Sequence, residues 1–532
     1  MATISEHAGS AETARPGTSL TRRDGIALCL IVLLGLALRV YRVNAQSVWY
    51  DEAFTVAHSV KPLGELFQVL LREGGRHPPL HYWLLHVWFG IVGFGAVEAR
   101  LVSVICGTLS LPLLYVLARR FTDAATSLCA ALLLSVSQIA IYFSQEARAY
   151  MAAQCLSLLA ACAFTSLLKR PTFARTAVFG TVSLALLATH YYGIATLAAL
   201  GLYWVAFRRD YSPVVFRRLV IAAGVTAAVY APWPLALRSS AEAQPGRVFQ
   251  ERDSSERPGL LSPVMAVNRF NNGKLASVET ESPAWSVALG LGIFTLPLAA
   301  ALWLAGTRRD ARSAVEASPL AAARTGSPDA PRRRLQGLVL GCLLAAVPVG
   351  VAMLAGALGA TFNYRHFSFA VPGYYLAVAI GWQVCFRRPS LRAAWLVAAL
   401  ALSAFALRAN YFAPTKPDYR AALAPLAAGY QAGDCAVNRP GIWHDSMHLA
   451  WEVYYRDRGS PATVAFDSLP AGLAGCERLW FVWDTTWWMN HDAEERARTT
   501  AMEAELRADF DLLEEGHHPA VDLRLFRRRR SH

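Results

Sequence analysis

Eleven apolar runs follow one another between residues 25 and 408, and every second turn between them is basic. They lie near 25–43, 100–118, 124–143, 148–168, 176–191, 193–207, 217–237, 285–305, 335–357, 366–385 and 391–408. A bilayer core of roughly 30 Å takes about 20 apolar residues per helix, and lipid offers an unpaired backbone amide no partner. Such a chain therefore folds as a polytopic α-helical membrane protein. The turns with Arg22-Arg23, Arg119-Arg120, Lys169-Arg170, Arg208-Arg209, Arg308-Arg309 and Arg387-Arg388 mark the cytoplasmic side, which puts the N-terminus inside and the C-terminus outside. The run 79–94 is short and mixes His81 and His86 with aromatics, so it reads as an interfacial helix; a twelfth span there would break the alternation.

Charge and composition agree. Only 17% of the residues are charged, against about a quarter in soluble domains. The net charge of +13 sits in pairs between apolar runs, so topology accounts for it without nucleic acid. No run holds an aspartate or glutamate at its middle, where ion-coupled transporters place ionisable groups.

Residues 1–24 are polar and expected to be disordered and cytoplasmic; 25–408 form the membrane domain, with a first outer loop at 44–99. Ile26–Leu38 has the length of a signal-peptide core, but the long leader and Arg39 and Arg42 argue for an uncleaved span. The segment 310–334 reads as a cytoplasmic linker, and 245–259 as an outer loop, ordinary or lid-like. Residues 409–532 turn soluble. Helices at 418–432, 444–457 and 492–510 alternate with strands at 435–438, 463–467, 478–484 and 519–527, which predicts a small α/β domain. Its Cys435 and Cys476 are either a disulfide or two buried thiols, and Arg527–Arg530 reads as a solvated tail or a lipid-headgroup contact.

The chemistry concentrates on the outer side. Asp51 and Glu52 sit just after the first run, where one carboxylate can act as a base while its neighbour orients it. The alternative is a solvated pair capping a helix that starts at Ala53. His77, before Pro78-Pro79, either touches substrate or starts the interfacial helix. His81 and His86 read as interfacial and structural. Arg100, Arg148 and Arg365 break the positive-inside pattern and need anionic partners; Glu146 lies beside Arg148, whereas Arg365 has no nearby acid and is the leading candidate for a lipid phosphate. Lys416 and Arg420 leave the last run at the same level and extend the set. His190 and Tyr191 end a run outside, as belt residues or as substrate contacts. No nucleotide-binding or HExxH motif occurs, and adjacent acids alone do not make a metal site, so a divalent metal is unsupported.

The motifs Trp49-Tyr50-Asp51-Glu52-Ala53, His77-Pro78-Pro79-Leu80-His81-Tyr82, Glu98-Ala99-Arg100-Leu101 and Tyr142–Tyr150 together resemble the bacterial family 39 glycosyltransferases of the GT-C type. The resemblance is strongest to the branch grouped with the lipopolysaccharide-core galacturonosyltransferases. Protein O-mannosyltransferases and lipid A aminoarabinose transferases are more distant. Motif similarity covers about 45–155, and hydropathy extends it to about 420. It implies a sugar donor linked to polyprenyl phosphate, an acceptor on a lipid, other glycan or protein at the periplasmic face of the inner membrane, and inversion at the anomeric carbon. It also implies a hexosyl- or pentosyltransferase with Asp51 as base and a periplasmic C-terminal domain. His366 stands where relatives more often have tyrosine. A lipid phosphate leaves as a stable anion, so one base and several cations suffice where a glycosidase needs a second acid. A lipid-linked-sugar flippase and a non-catalytic envelope assembly protein are the competing readings.

Overall fold

The protein is described by a computed structural model at residues 21–72, 78–243, 258–272, 283–310, 330–359, 363–438, 446–465, 469, 473, 475–484 and 493–529. Each of the eleven apolar runs forms helix. Among the described residues, seven helices are long and apolar enough to cross a membrane, or eight when Ala124–Ser135 and Gln138–Ser144, bent by 56°, count as one span. The expected eleven is therefore not reached on these grounds. Arg22–Val40 carries Arg22, Arg23, Asp24 and Arg39. Phe173–Thr189 and Gly193–Phe207 have 17 and 15 residues, and at 1.5 Å per residue even 17 reach only about 26 Å. The run 79–94 forms the short helix Leu80–Val92.

The 56° bend frees backbone carbonyls that lipid cannot satisfy. Arg39 reaches them from the first helix: fully buried, it donates to the carbonyls of Gly35 and Ser135 and to Ser144 Oγ, at 2.9, 3.2 and 3.1 Å. This fixes the turn that follows, Gln145–Ala149, which carries Glu146 and Arg148.

Among the described helices long and apolar enough to span, the one ending at Cys385 is the most enclosed, its residues buried from Val371 to Gln383. It packs on Ala330–Ala357 through small residues. A Cβ added at Gly373 would stand 2.5 Å from Leu344 Cβ and 2.9 Å from the Gly341 carbonyl, the close backbone approach that membrane helices build from glycine and alanine. The 3-10 turn Tyr364–Ala370 runs into its N-terminus and carries Arg365.

The C-terminal portion contains a five-stranded sheet in the order β2-β1-β3-β5-β4, from β1 (Asp434–Asn438), β2 (Thr463–Ala465), β3 (Arg478–Asp484), β4 (Phe510–His518) and β5 (Val521–Arg528). The β1 strand pairs in parallel with β2 and β3, and β5 runs antiparallel to β3 and β4. Strand β4 was not expected: Asp511, Glu514, Glu515, His517 and His518 hide the alternation, and a register shift at Leu512/Glu514 breaks its period. Cys435 and Cys476 form a disulfide. Helix Ser446–Tyr454 sends Leu449 and Val453 into a core made mainly by the first outer loop, including Val48, Tyr50, Phe54, Leu66, Tyr82 and Leu85.

The helix contact at Gly373 gives a clean test. Gly373→Val is expected to overpack at a cost of about 1–3 kcal/mol and to lower the melting temperature of the detergent-solubilised protein. Gly350→Val, where an added Cβ meets nothing within 4 Å, should leave it nearly unchanged.

Candidate active site

The helix Tyr50–Ser59 begins one residue before Asp51, at an extended Trp49 with no side-chain cap. Asp51 and Glu52 thus occupy its first turn, where the helix dipole favours anions. They are 5% and 0% exposed, which removes the reading of a solvated capping pair. Successive helical residues point about 100° apart, so the two carboxylates meet different partners.

Glu52 is enclosed by protein donors. Arg100 binds it through both arms, Nε to Oε1 at 2.9 Å and Nη2 to Oε2 at 3.0 Å. Lys416 Nζ donates to Oε2 at 2.8 Å, and the Ala147 backbone N–H to Oε1 at 2.9 Å. Burial alone would raise the pKa of this carboxyl, but the charges and hydrogen bonds of Arg100 and Lys416 overcome it and hold it at about 2. Arg100 also donates to the carbonyls of Val43, Gln46 and Ser47. All five of its N–H groups are then committed, so it ties the loop to helix Ala96–Ala118 and does not fit the phosphate role expected of it.

Asp51 faces the other way. Its Oδ2 accepts from Arg365 Nη1 at 2.7 Å and lies 3.7 Å from Arg148 Nη2. Arg148 Nη1 donates to the Asp51 carbonyl and to Thr55 Oγ1, at 3.0 and 2.8 Å, which locks Arg148 to the same helix. Arg365 lies over the Trp49 ring at 5.7 Å. Its side chain is 15% exposed, against 6%, 5% and 1% for Arg148, Lys416 and Arg100. Arg365 is thus the cation of the set most open to solvent.

Glu146 joins the set through Lys416, at 3.5 Å. Burial pushes its carboxyl above the ordinary value, with Lys416 opposing the rise. Three acids (Asp51, Glu52, Glu146) thus share four cations (Arg100, Arg148, Arg365, Lys416) in the described network, one positive charge in excess. A small cleft lined by Arg42, Gln46, Tyr142, Gln145, Asn410 and Lys416 opens beside it.

The other predicted residues divide. His190 lies near Arg148 and Arg365, whose charges add to burial and push its imidazole down to about 3. The Tyr191 hydroxyl instead accepts from Trp233 Nε1 at 3.1 Å, in the loop core. Arg420 sits at the exposed rim, donating to Asn44 and to the Ala45 carbonyl; it is not part of the buried cation set. His77 lies outside the described residues, as do most of the N-terminal segment, the cytoplasmic linker and the loop 245–259. His81, expected to be interfacial and structural, is 2% exposed and close enough to Arg148 for its charge to act on it. Among the described residues no group of three His, Cys, Asp or Glu side chains is arranged to hold a metal ion.

Comparison with known proteins bears out the resemblance to GT-C glycosyltransferases. Residues 76–234 match the family model described as dolichyl-phosphate-mannose-protein mannosyltransferase. No curated protein matches the chain. The apo oligosaccharyltransferase of Archaeoglobus fulgidus shares its fold at TM-score 0.51 and 12% identity, over 87% of this chain and 69% of that one. ArnT from Cupriavidus metallidurans aligns over 95% of this chain and 98% of its own, at 14% identity and TM-score 0.47. It is also known bound to undecaprenyl phosphate, at the same identity and TM-score over 94% and 97% of the two chains. The chain is a multi-pass membrane protein of GT-C fold with a small C-terminal sheet.

The Glu52 cluster predicts acid sensitivity with a definite sign. A carboxyl held near 2, below its ordinary 4.5, contributes stability that is complete above about 4.5 and lost as pH falls toward 2. Melting temperature followed from neutral pH downward should fall in that window, and Glu52→Gln should flatten the fall. Lys416→Met, which breaks a buried pair, is expected to cost about 3–5 kcal/mol at neutral pH.

Proposed function

We propose that this protein is a glycosyltransferase that moves a sugar from a polyprenyl-phosphate donor to an acceptor hydroxyl at the outer face of the bacterial inner membrane, with inversion. The acceptor class comprises lipopolysaccharide, another glycan or a protein. The N-terminus is then cytoplasmic, and residues 409–532 form a periplasmic domain in which the Cys435–Cys476 disulfide is chemically at home.

One observation carries the reading: Asp51 shares its buried site with Arg148 and with Arg365, the most exposed cation of an electropositive network. In the proposed reaction Asp51 takes the proton of the acceptor hydroxyl as its oxygen attacks the anomeric carbon. The bond from that carbon to the phosphate oxygen breaks, and its electron pair leaves with the lipid phosphate. Arg365 stabilises the charge that grows on the phosphate, and Arg148 stays with Asp51 to keep it ionised. Glu52 acts on orientation, since its partners are all protein groups that hold the helix in place. The family match and the shared fold support this reading. A flippase or assembly role gives no reason to bury this charge set at the outer lip.

Two substitutions test it. Asp51→Asn should lower transfer by about 10²–10⁴-fold, the usual worth of a general base, with folding and membrane insertion intact; wild-type turnover would remove Asp51 as base. Arg365→Glu should weaken binding of undecaprenyl phosphate by at least tenfold in a direct titration. Unchanged affinity would reject its phosphate role.

A further inference from the structure

Two buried polar side chains near this site have no hydrogen-bond partner. Neither ring nitrogen of His81, 2% exposed, is bonded among the described residues. Nor is the amide nitrogen or oxygen of Gln154, 0% exposed. Buried polar atoms are bonded almost without exception in folded proteins, and an orphan calls for a ligand or water to complete it.

His81 lies in the electrostatic reach of Arg148, and helix geometry puts Gln154 one turn beyond Tyr150 on the face turned toward the same residues. Arg148, which holds Asp51, acts electrostatically on His81 and on His190. The Tyr150 ring lies 5.9 Å from the Arg148 guanidinium carbon and 5.8 Å from the His190 ring. Gln154 follows Tyr150 by four residues on helix Tyr150–Lys169, on the same face, and helical side chains lean toward the preceding turn. His190 Nδ1 accepts the Tyr192 N–H at 3.3 Å, which puts the proton of the neutral ring on Nε2.

We propose that His81 and Gln154, together with His190, form an uncharged hydroxyl-binding subsite next to Asp51 that holds the transferred sugar, and that this sugar is itself uncharged. The inference rests on the polyprenyl-phosphate reading above. A neutral imidazole offers one donor and one acceptor, and an amide offers both, which suits hydroxyls that donate and accept in turn. The rings of Tyr82, Tyr150 and Phe369, 6.3 Å from His81 and 5.8 Å from His190 on either side, supply apolar faces for the C–H surfaces of a pyranose or furanose. Charge selects further. Burial lowers both imidazoles, with Arg148 acting on each and Arg365 also on His190, which favours their neutral forms. The same guanidiniums repel a cationic amino sugar, and the donor phosphate takes up the one excess positive charge of the network, which leaves a uronate no cation of its own.

The test titrates full-length protein in detergent with four lipids: bare undecaprenyl phosphate, and the same lipid carrying a neutral hexose, a uronic acid or an amino pentose. The neutral hexose is expected to bind the wild type at least tenfold tighter than the bare lipid. His81→Phe and Gln154→Leu should each erase that advantage and leave affinity for the bare lipid unchanged, which also reports a folded protein. Should one variant lose the bare lipid as well, the other decides. Retention of the sugar advantage in both variants overturns the subsite, and so does an equal loss for bare and sugar-linked lipid in both. A charged sugar that binds tightest, or no sugar advantage in the wild type, also overturns it. Wild type that binds none of the lipids overturns the polyprenyl-phosphate reading itself, a result distinct from the others.

Discussion

The fully buried carboxylate of Glu52 is the interaction on which the site depends. Four contacts, from Arg100, Lys416 and the Ala147 N–H, join the first outer loop to helix Ala96–Ala118, to the turn before Tyr150 and to the chain beyond the last span. A charge out of water is tolerated only when such partners repay its desolvation, and removing one leaves the rest uncompensated. The cluster therefore fixes the first turn of Tyr50–Ser59 and aims the adjacent Asp51 toward Arg148 and Arg365. One acid is held by protein donors on every side, and its neighbour is left facing the more exposed arginine.

Around that cluster the fold adds two supports. Arg39 completes the broken helix and sets the turn with Glu146 and Arg148. From the other direction, Tyr454 of the C-terminal portion accepts the Val48 N–H at 2.7 Å, just ahead of the acidic pair. With Leu449 and Val453 in the loop core, the C-terminal portion packs against the loop that carries the acidic pair. Residues 76–234, the stretch matched by the family model, exclude Asp51, Arg365 and Lys416; the charges meet only in three dimensions.

Much of this was legible in the sequence, for identifiable reasons. Apolar runs and paired arginines report the membrane directly, because lipid punishes any other arrangement. The outward Arg148 and Arg365 stood out as charges on the wrong side, and the structure brings both to Asp51. The pairing of Lys416 with Glu52 was not legible: the two are 364 residues apart, and nothing local distinguishes this lysine from a snorkelling one. Arg100 was misjudged for a related reason, since its contacts to the carbonyls of Val43, Gln46 and Ser47 depend on backbone geometry that composition does not encode. Strand β4 escaped because its charged residues follow a charged helix without a break.

The span between Glu52 and Lys416 also bears on how the molecule is made. At 5–20 residues per second, translation takes on the order of 20–70 s to travel from one to the other. Throughout that interval Glu52 and Arg100 exist without the lysine that completes their charge balance. The apolar core of the loop and the pair with Arg100 can form earlier, but the charge balance of Glu52 waits for the segment behind the last helix. Completion of the Glu52 cluster is thus a late event in the synthesis of the chain.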